Sequence, residues 1–483
     1  ATSANRRRFA KQIEAPNASL LMFKESPPTS PQRSHPAFIV RSQATRPSTA
    51  STFPVAPPPP ISSSSSSSTN TPNSTATRRL AFQEREALFE RALSRSKLDL
   101  RECRQLAWTG IPERLRPVYW RILLGYLRDD RTEWQTDLDA SRNTYKSFLD
   151  ELFLKHQDQA TTEKSNQSTK STLNSQTTSN SESTLNSEST SKFTDHPLSI
   201  EPESEWNTYF KDKEMLYEID KDVRRTFPHL HFFNNDESVG TTKHYQALRQ
   251  ILFIYAKLNP GIAYVQGMNE VLGPIYYVFA SSTRSDDAYA FLGPDAKKLA
   301  FHENAEADAF FCFTSVMAEI MNNFCKTLDG SDVGIKADMT KLNKYLRRFD
   351  PELWQDAEDK GLDPQFYSFR WITLLLSQEF ELPDVIRLWD TLFADSHRFD
   401  FLLRVCCAML ITMRKTLLSN DFAHNIKLLQ SYPDIDIVKL IKTAENLDHY
   451  KPPPPSSSSN PSTPTPTQQQ NQVGELSSFM DGI

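Results

Sequence analysis

The stretch Tyr245-Gln-Ala-Leu-Arg-Gln-Ile-Leu-Phe-Ile-Tyr-Ala-Lys-Leu258, followed by Asn259-Pro260-Gly261, decides the class of fold. Leu248, Ile251, Leu252, Tyr255 and Leu258 recur three and four residues apart, the spacing of one face of an α-helix. Asn-Pro-Gly then ends the run, because proline cannot continue a helix and glycine suits its exit. The same period resumes over 269–280 with Val271, Leu272, Ile275, Tyr276 and Phe279. Residues 305–325 place Ala309, Phe310, Phe313, Val316, Met317 and Ile320 on one stripe. Further helices are predicted over 371–380, 384–393 and 401–418, the last apolar nearly all round and so central to the core. Upstream, Leu88, Phe89, Ala92 and Leu93 predict a first helix; Gly110 breaks the chain, and Pro112 suits a helix start. Period-two alternation is missing between these runs, and only twelve glycines serve 483 residues, which fits few tight hairpins. No repeat of solenoid period is present. The expected fold is all-α, one irregular bundle of many helices.

Three stretches stand outside that pattern. Residues 1–78 hold Pro57–Pro60 and the run Ser62–Ser68; 158–194 are nearly all Ser, Thr, Asn, Gln and Glu; 451–483 mix Pro, Ser, Thr and Gln. Such segments bury too little apolar surface to offset an ordering entropy of about 1–2 kcal/mol per residue. They are expected to be disordered tails and a disordered insertion, leaving 79–450 as one interrupted folded domain. The net charge of −5 is uneven: residues 1–76 carry eight Lys/Arg against two acids (+6), so the remainder is −11. A basic arm of this kind suits peripheral contact with an anionic membrane surface; a plain solvated tail and a transit peptide are the alternatives. Five cysteines without a CxxC pair or a secretory signal suggest a reducing, cytoplasmic setting, with peripheral endomembrane contact as an option. Cys406 and Cys407 read as core filler. Phe401–Ile411 is too short to span a bilayer. Zinc-type ligand spacing and a Gly-x-x-x-x-Gly-Lys phosphate loop are both missing, so no metal, intrinsic nucleotide or nucleic-acid partner is expected.

Two short segments carry candidate chemistry. Asp222 and Arg225 stand three apart, so on a helix the carboxylate can hold the guanidinium in place, with Thr226 and Pro228 leaving Arg225 near a helix end. A surface salt bridge is the plainer reading of the pair. Arg224 points about 100° away. Tyr264-Val-Gln-Gly-Met-Asn269 lies between two helices, where Gly267 allows close approach of a partner's backbone to Gln266. An arginine spreads positive charge over a phosphoryl transition state, and a glutamine amide can align the attacking water. Arg116 and Trp120, four apart, can stack guanidinium on indole in a structural role.

The blocks Gly110-Ile-Pro-x-x-Leu-Arg-x-x-x-Trp120, Ile219-x-x-Asp-x-x-Arg225, Tyr264-x-Gln266, Phe369-Arg-Trp371, Gln378-Glu-Phe380 and Arg387-Leu-Trp-Asp390 occur in one order over 85–450. In that order they resemble the motifs of the TBC-domain Rab GTPase-activating proteins. The resemblance implies an all-α domain of two helical subdomains meeting at a groove that receives a GTP-bound Rab. It implies Arg225 as an arginine finger and Gln266 as a glutamine finger, with Asp222, Tyr264 and Gly267 in support. Arg116, Trp120, Arg370, Trp371, Trp389 and Asp390 would hold the fold. GTP and magnesium would belong to the partner, no cofactor to this chain. The chain would activate a GTPase and so regulate vesicle traffic, without turning over a substrate of its own. A non-catalytic Rab-binding scaffold or effector is the alternative.

Overall fold

A computed structural model describes residues 73–154, 205–233, 242–281, 289–293, 296–299, 301–325 and 334–453. The insertion at 158–194 and most of both tails lie outside these residues. Helices dominate the described chain, and extended pairing is confined to one bridge between Lys97 and Asp130. The helices are α1 Asn73–Leu93, α2 Leu100–Trp108, α3 Arg116–Leu123, α4 Trp134–Phe148, α5 Glu205–Val223, α6 Thr242–Leu258, α7 Met268–Ala280 and α8 Ala305–Ile320. They continue as α9 Ile335–Phe349, α10 Pro351–Asp359, α11 Ser368–Thr373, α12 Leu382–Ala394, α13 Arg398–Thr412, α14 Arg414–Ser419, α15 Phe422–Gln430 and α16 Ile437–Glu445. Local signals account for many starts. Asp99, Asp350, Asp421 and Asp436 cap α2, α10, α15 and α16 by accepting backbone N–H bonds, and Pro351 occupies the first turn of α10.

From Phe89 onward the chain packs as one compact unit; residues up to Leu88 form a separate one, described here only through the first part of α1. Within the larger unit α4 to α8 pack on one another, and α9, α11 and α13 pack together, with α16 against α13. Helices α2 and α3, although early in the sequence, pack against α12, and α3 and α12 also touch α7. That seam joins the two groups of helices.

The seam is organised by Asp390, a wholly buried carboxylate on α12. It accepts hydrogen bonds from the Ile111 N–H (2.8 Å), Arg116 Nε (3.0 Å) and Trp120 Nε1 (2.8 Å). Arg116 and Trp120 are thus joined by a shared carboxylate where stacking of one on the other was expected. Trp120 packs edge-on to Phe393 and beside Trp389. Gly110 is required by its surroundings: its φ is +100°, and a Cβ there would lie 2.8 Å from Arg387 Nε. A second buried carboxylate, Asp308 on α8, binds Arg121 (2.9 Å), Arg142 (2.9 Å) and Tyr126 (2.8 Å), with the Arg121 guanidinium 3.9 Å from the Phe279 ring centre. Sequence reading assigned no role to that cluster.

Several expected boundaries shift. The helix near Arg116 starts at that residue with Pro117 in its first turn, so Pro112 sits in the preceding turn. The stripe over 305–325 is α-helical only to Ile320 and then tightens to a 3-10 turn, Met321–Phe324. The run 401–418 breaks at Met413, where the chain redirects Arg414 onto Asp350 at 2.8 Å. The helix expected over 371–380 ends at Thr373. Leu375 and Leu376 then adopt left-handed φ values of 53° and 62°, and Trp389 Nε1 donates to the Leu375 carbonyl at 2.9 Å. No glycine or proline marks that turn, and its Leu375 carbonyl is held by a side chain from α12. Cys406 and Cys407 are buried, as core filler should be.

Removing Asp390 strands the half-buried Arg116 charge and two further donors. Asp390→Ala is therefore expected to cost about 3–5 kcal/mol of unfolding free energy in urea titrations; a loss below about 1 kcal/mol would show that the seam does not depend on it.

Candidate functional site

Helix α5 ends at Val223, so Arg225 lies in the turn just beyond it and not on the helix itself. The expected contact with Asp222 nevertheless forms: Arg225 Nη2 donates to Asp222 Oδ1 at 2.5 Å. Asp222 is buried while the Arg225 side chain keeps 37% of its surface exposed. One N–H group of the fork is tied down, leaving the others for a ligand. Phe227, two residues on, has a left-handed φ of 43°, and its ring lies against Gly273 of α7, where a Cβ would come within 2.7 Å of it. That close approach fixes the direction in which the segment leaves α5.

The loop before α7 meets the same carboxylate from the other side. Tyr264 Oη donates to Asp222 Oδ2 at 2.7 Å. Burial pushes the Tyr264 phenol well above its ordinary value, and the Asp222 charge adds to that, so it remains a donor. Ala263 and Gly267 both have positive φ, 58° and 104°, and a Cβ on Gly267 would lie 2.7 Å from Leu374 Cδ2. Strained backbone held by its surroundings is a feature of loops that present function. Gln266 is exposed at the tip, and no hydrogen bond ties its amide down among the described residues.

Asn269 links the two segments. Its Nδ2 donates to Thr226 Oγ1 (2.9 Å) and Glu270 Oε1 (2.9 Å), while its Oδ1 accepts from the Gly267 N–H (3.2 Å). Thr226 Oγ1 donates in turn to the Asp222 carbonyl at 3.1 Å. Glu270 is buried, and desolvation pushes its carboxyl up to about 7, against hydrogen bonds from Gln378 and Asn269. Sequence reading gave Asn269 and Glu270 no role, took Thr226 only as an interruption of the helix and placed Gln378 only in a motif block. A signal existed: two polar residues open the otherwise apolar run of α7, where a buried polar group needs a partner.

Asp222, Arg225, Tyr264, Gln266 and Gly267 are therefore brought together, and the other six sequence candidates support them from a distance. Trp371 is fully buried, its backbone carbonyl accepts from Leu376 N–H at 2.9 Å, and Trp389 holds Leu375; together they pin the turn that carries Leu374 onto Gly267. Arg370 clasps Glu379 at 2.6 and 2.8 Å and reaches the Gln430 carbonyl at 2.9 Å. Arg116, Trp120 and Asp390 belong to the seam. Among the described residues no cluster of three or more His, Cys, Asp or Glu could hold a metal ion, and no helix is long and apolar enough to cross a membrane. What the site offers is a partly exposed cation held by one oxygen of a buried carboxylate and an exposed amide on the loop that the other oxygen holds through Tyr264.

The Rab-GTPase-TBC domain model matches residues 113–418, and the chain belongs to that family. It is similar to TBC1 domain family member 13 of Mus musculus, at 39% identity over 430 residues that span 76% of this chain and 99% of that protein. The GTPase-activating protein gyp1 of Schizosaccharomyces pombe is 26% identical over 350 residues, 72% of this chain and 57% of that one. Among solved structures, the Ypt/Rab-GAP domain of Gyp1p superposes with a TM-score of 0.55 at 24% identity, covering 76% of this chain and 99% of that chain, a likeness of fold.

Gly267→Ala meets both an unfavourable φ and the Leu374 side chain. It is expected to cost about 1–3 kcal/mol of stability. Adding Leu374→Ala should recover the steric part and leave the φ penalty, so a double-mutant cycle with no coupling would count against the contact.

Proposed function

We propose that this chain accelerates GTP hydrolysis by a GTP-bound Rab, supplying Arg225 and Gln266 in trans. The observation that carries the reading is the division of Asp222: one oxygen holds Arg225 and the other holds the Tyr264 loop that presents Gln266. Preorganisation of this kind places charge and water-orienting groups before the partner arrives, so little reorganisation is needed at the moment of reaction. The free N–H groups of Arg225 would meet the oxygens of the transferring phosphoryl group, where negative charge spreads. The Gln266 amide, which both donates and accepts, would orient the attacking water. Nucleotide and magnesium come with the GTPase, and the chain's own residues neither bind a cofactor nor form a covalent intermediate. In a cell this chemistry would return a Rab to its GDP state and so regulate vesicle traffic.

The test is single-turnover hydrolysis on a panel of purified, GTP-loaded Rabs. Arg225→Ala is expected to remove a factor of about 10³–10⁵ in rate, or about 4–7 kcal/mol of transition-state stabilisation, with complex formation largely kept. Gln266→Ala should also abolish stimulation while leaving binding intact. Stimulation of no Rab, or full stimulation by Arg225→Ala, would sink the proposal. Binding without hydrolysis by the unmodified chain would identify a scaffold instead.

A further inference from the structure

Glu270 lies in the first turn of α7, 5% exposed, directly behind the Tyr264–Asn269 loop. Its Oε1 accepts from Asn269 Nδ2 at 2.9 Å, and Gln378, from beyond the Leu374–Leu376 turn, also hydrogen-bonds its carboxyl. The charged and titratable groups that face it are Asp222 from the last turn of α5, Arg225 from the segment just beyond it and Tyr264 from the loop; the turn between α11 and α12 contributes the neutral Gln378 amide. Burial lifts the carboxyl from an ordinary 4.5 to about 7. Folding thus opposes its ionisation: the stability it contributes is intact below about 4.5 and is lost as pH rises through about 7. A neutral side chain of similar size would be easier to bury. Stability does not explain why a carboxylate stands here.

We propose that Glu270 is a positioning residue whose carboxylate holds the Asn269 amide in one orientation and thereby sets the Gln266 loop against the Arg225 segment. The catalytic consequence rests on the GTPase-activating reading above. Donors and acceptors set this orientation. An ionised carboxylate only accepts, so it must face Asn269 Nδ2. That orientation aims Asn269 Oδ1 at the Gly267 N–H and leaves its second N–H for Thr226 Oγ1, as the distances show. A protonated carboxyl both donates and accepts, as does a glutamine amide, so either would tolerate a flipped Asn269. In the flipped state the Gly267 N–H faces another donor, and the loop that carries Gln266 loses its anchor. Gln378 extends the same control to the C-terminal helices, which touch the loop again through Leu374 on Gly267.

The orientation can be read directly on the full chain. Gln266–Gly267 is the only Gln-Gly pair in the sequence, so carbonyl-13C glutamine with 15N glycine gives a single Gly267 amide resonance. That resonance should titrate with a midpoint near 7 in the unmodified protein and stay flat in Glu270→Gln. Gln378→Ala removes a donor to the carboxylate and should move the midpoint upward. In single-turnover assays Glu270→Gln should lower the maximal rate about 10- to 100-fold with the concentration dependence on Rab nearly unchanged. Stimulation by the unmodified protein should rise between about pH 6 and 8, and that rise should vanish in the variant. Urea unfolding at about pH 8 should find Glu270→Gln no less stable than the parent, whereas a purely structural role predicts a loss. A Gly267 resonance that does not titrate, or titrates identically in Glu270→Gln, overturns the proposal; so does an unaltered rate and pH profile in that variant when the parent is active. A parent that stimulates no Rab yet shows the Gly267 titration removes the GTPase-activating reading and leaves the positioning role standing.

Discussion

The site depends on one carboxylate. Asp222 is buried, and an isolated buried charge is costly unless it is paired and hydrogen-bonded. Here each oxygen has its own partner, Arg225 on one side and Tyr264 on the other. The arginine belongs to the turn after α5 and the tyrosine to the loop before α7, so the same interaction that makes the charge tolerable also brings two remote segments into register. Satisfying the carboxylate and assembling the site are a single event.

The rest of the fold reads as support for that register. Asp390 draws α3 and the Ile111 turn onto α12, and α12 in turn presents Trp389 to the Leu375 carbonyl. The left-handed turn so fixed places Leu374 against Gly267. A chain of contacts therefore runs from the seam, through two tryptophans, to the backbone beneath Gln266. Trp120 and Trp389 act by shape and by single N–H bonds, to Asp390 and to the Leu375 carbonyl.

Much of this was legible in order of residues alone. The 3.6-residue period over 245–258 and 269–280 located α6 and α7 nearly to their ends, because those helices bury a continuous apolar face. The spacing of Asp222 and Arg225 predicted their contact even though the helix stops two residues short, since a turn of similar pitch keeps i and i+3 adjacent. Asn269 and Glu270 were visible as polar residues in an apolar setting, yet their partners, Thr226 and Gln378, lie 43 and 108 positions away in sequence and could not be inferred from pattern.

The sequence by itself determined the helical class, the family and the contact between Asp222 and Arg225, because period, motif order and local spacing are properties of neighbouring residues. Tertiary structure alone decided how the two segments are joined. The break after Thr373, the meeting of Arg116 and Trp120 on Asp390, and the Asn269 bridge each involve a buried polar atom that takes a partner from a distant segment. Hydrogen-bond satisfaction in a water-free interior is a global condition, and no local stretch of chain can state it.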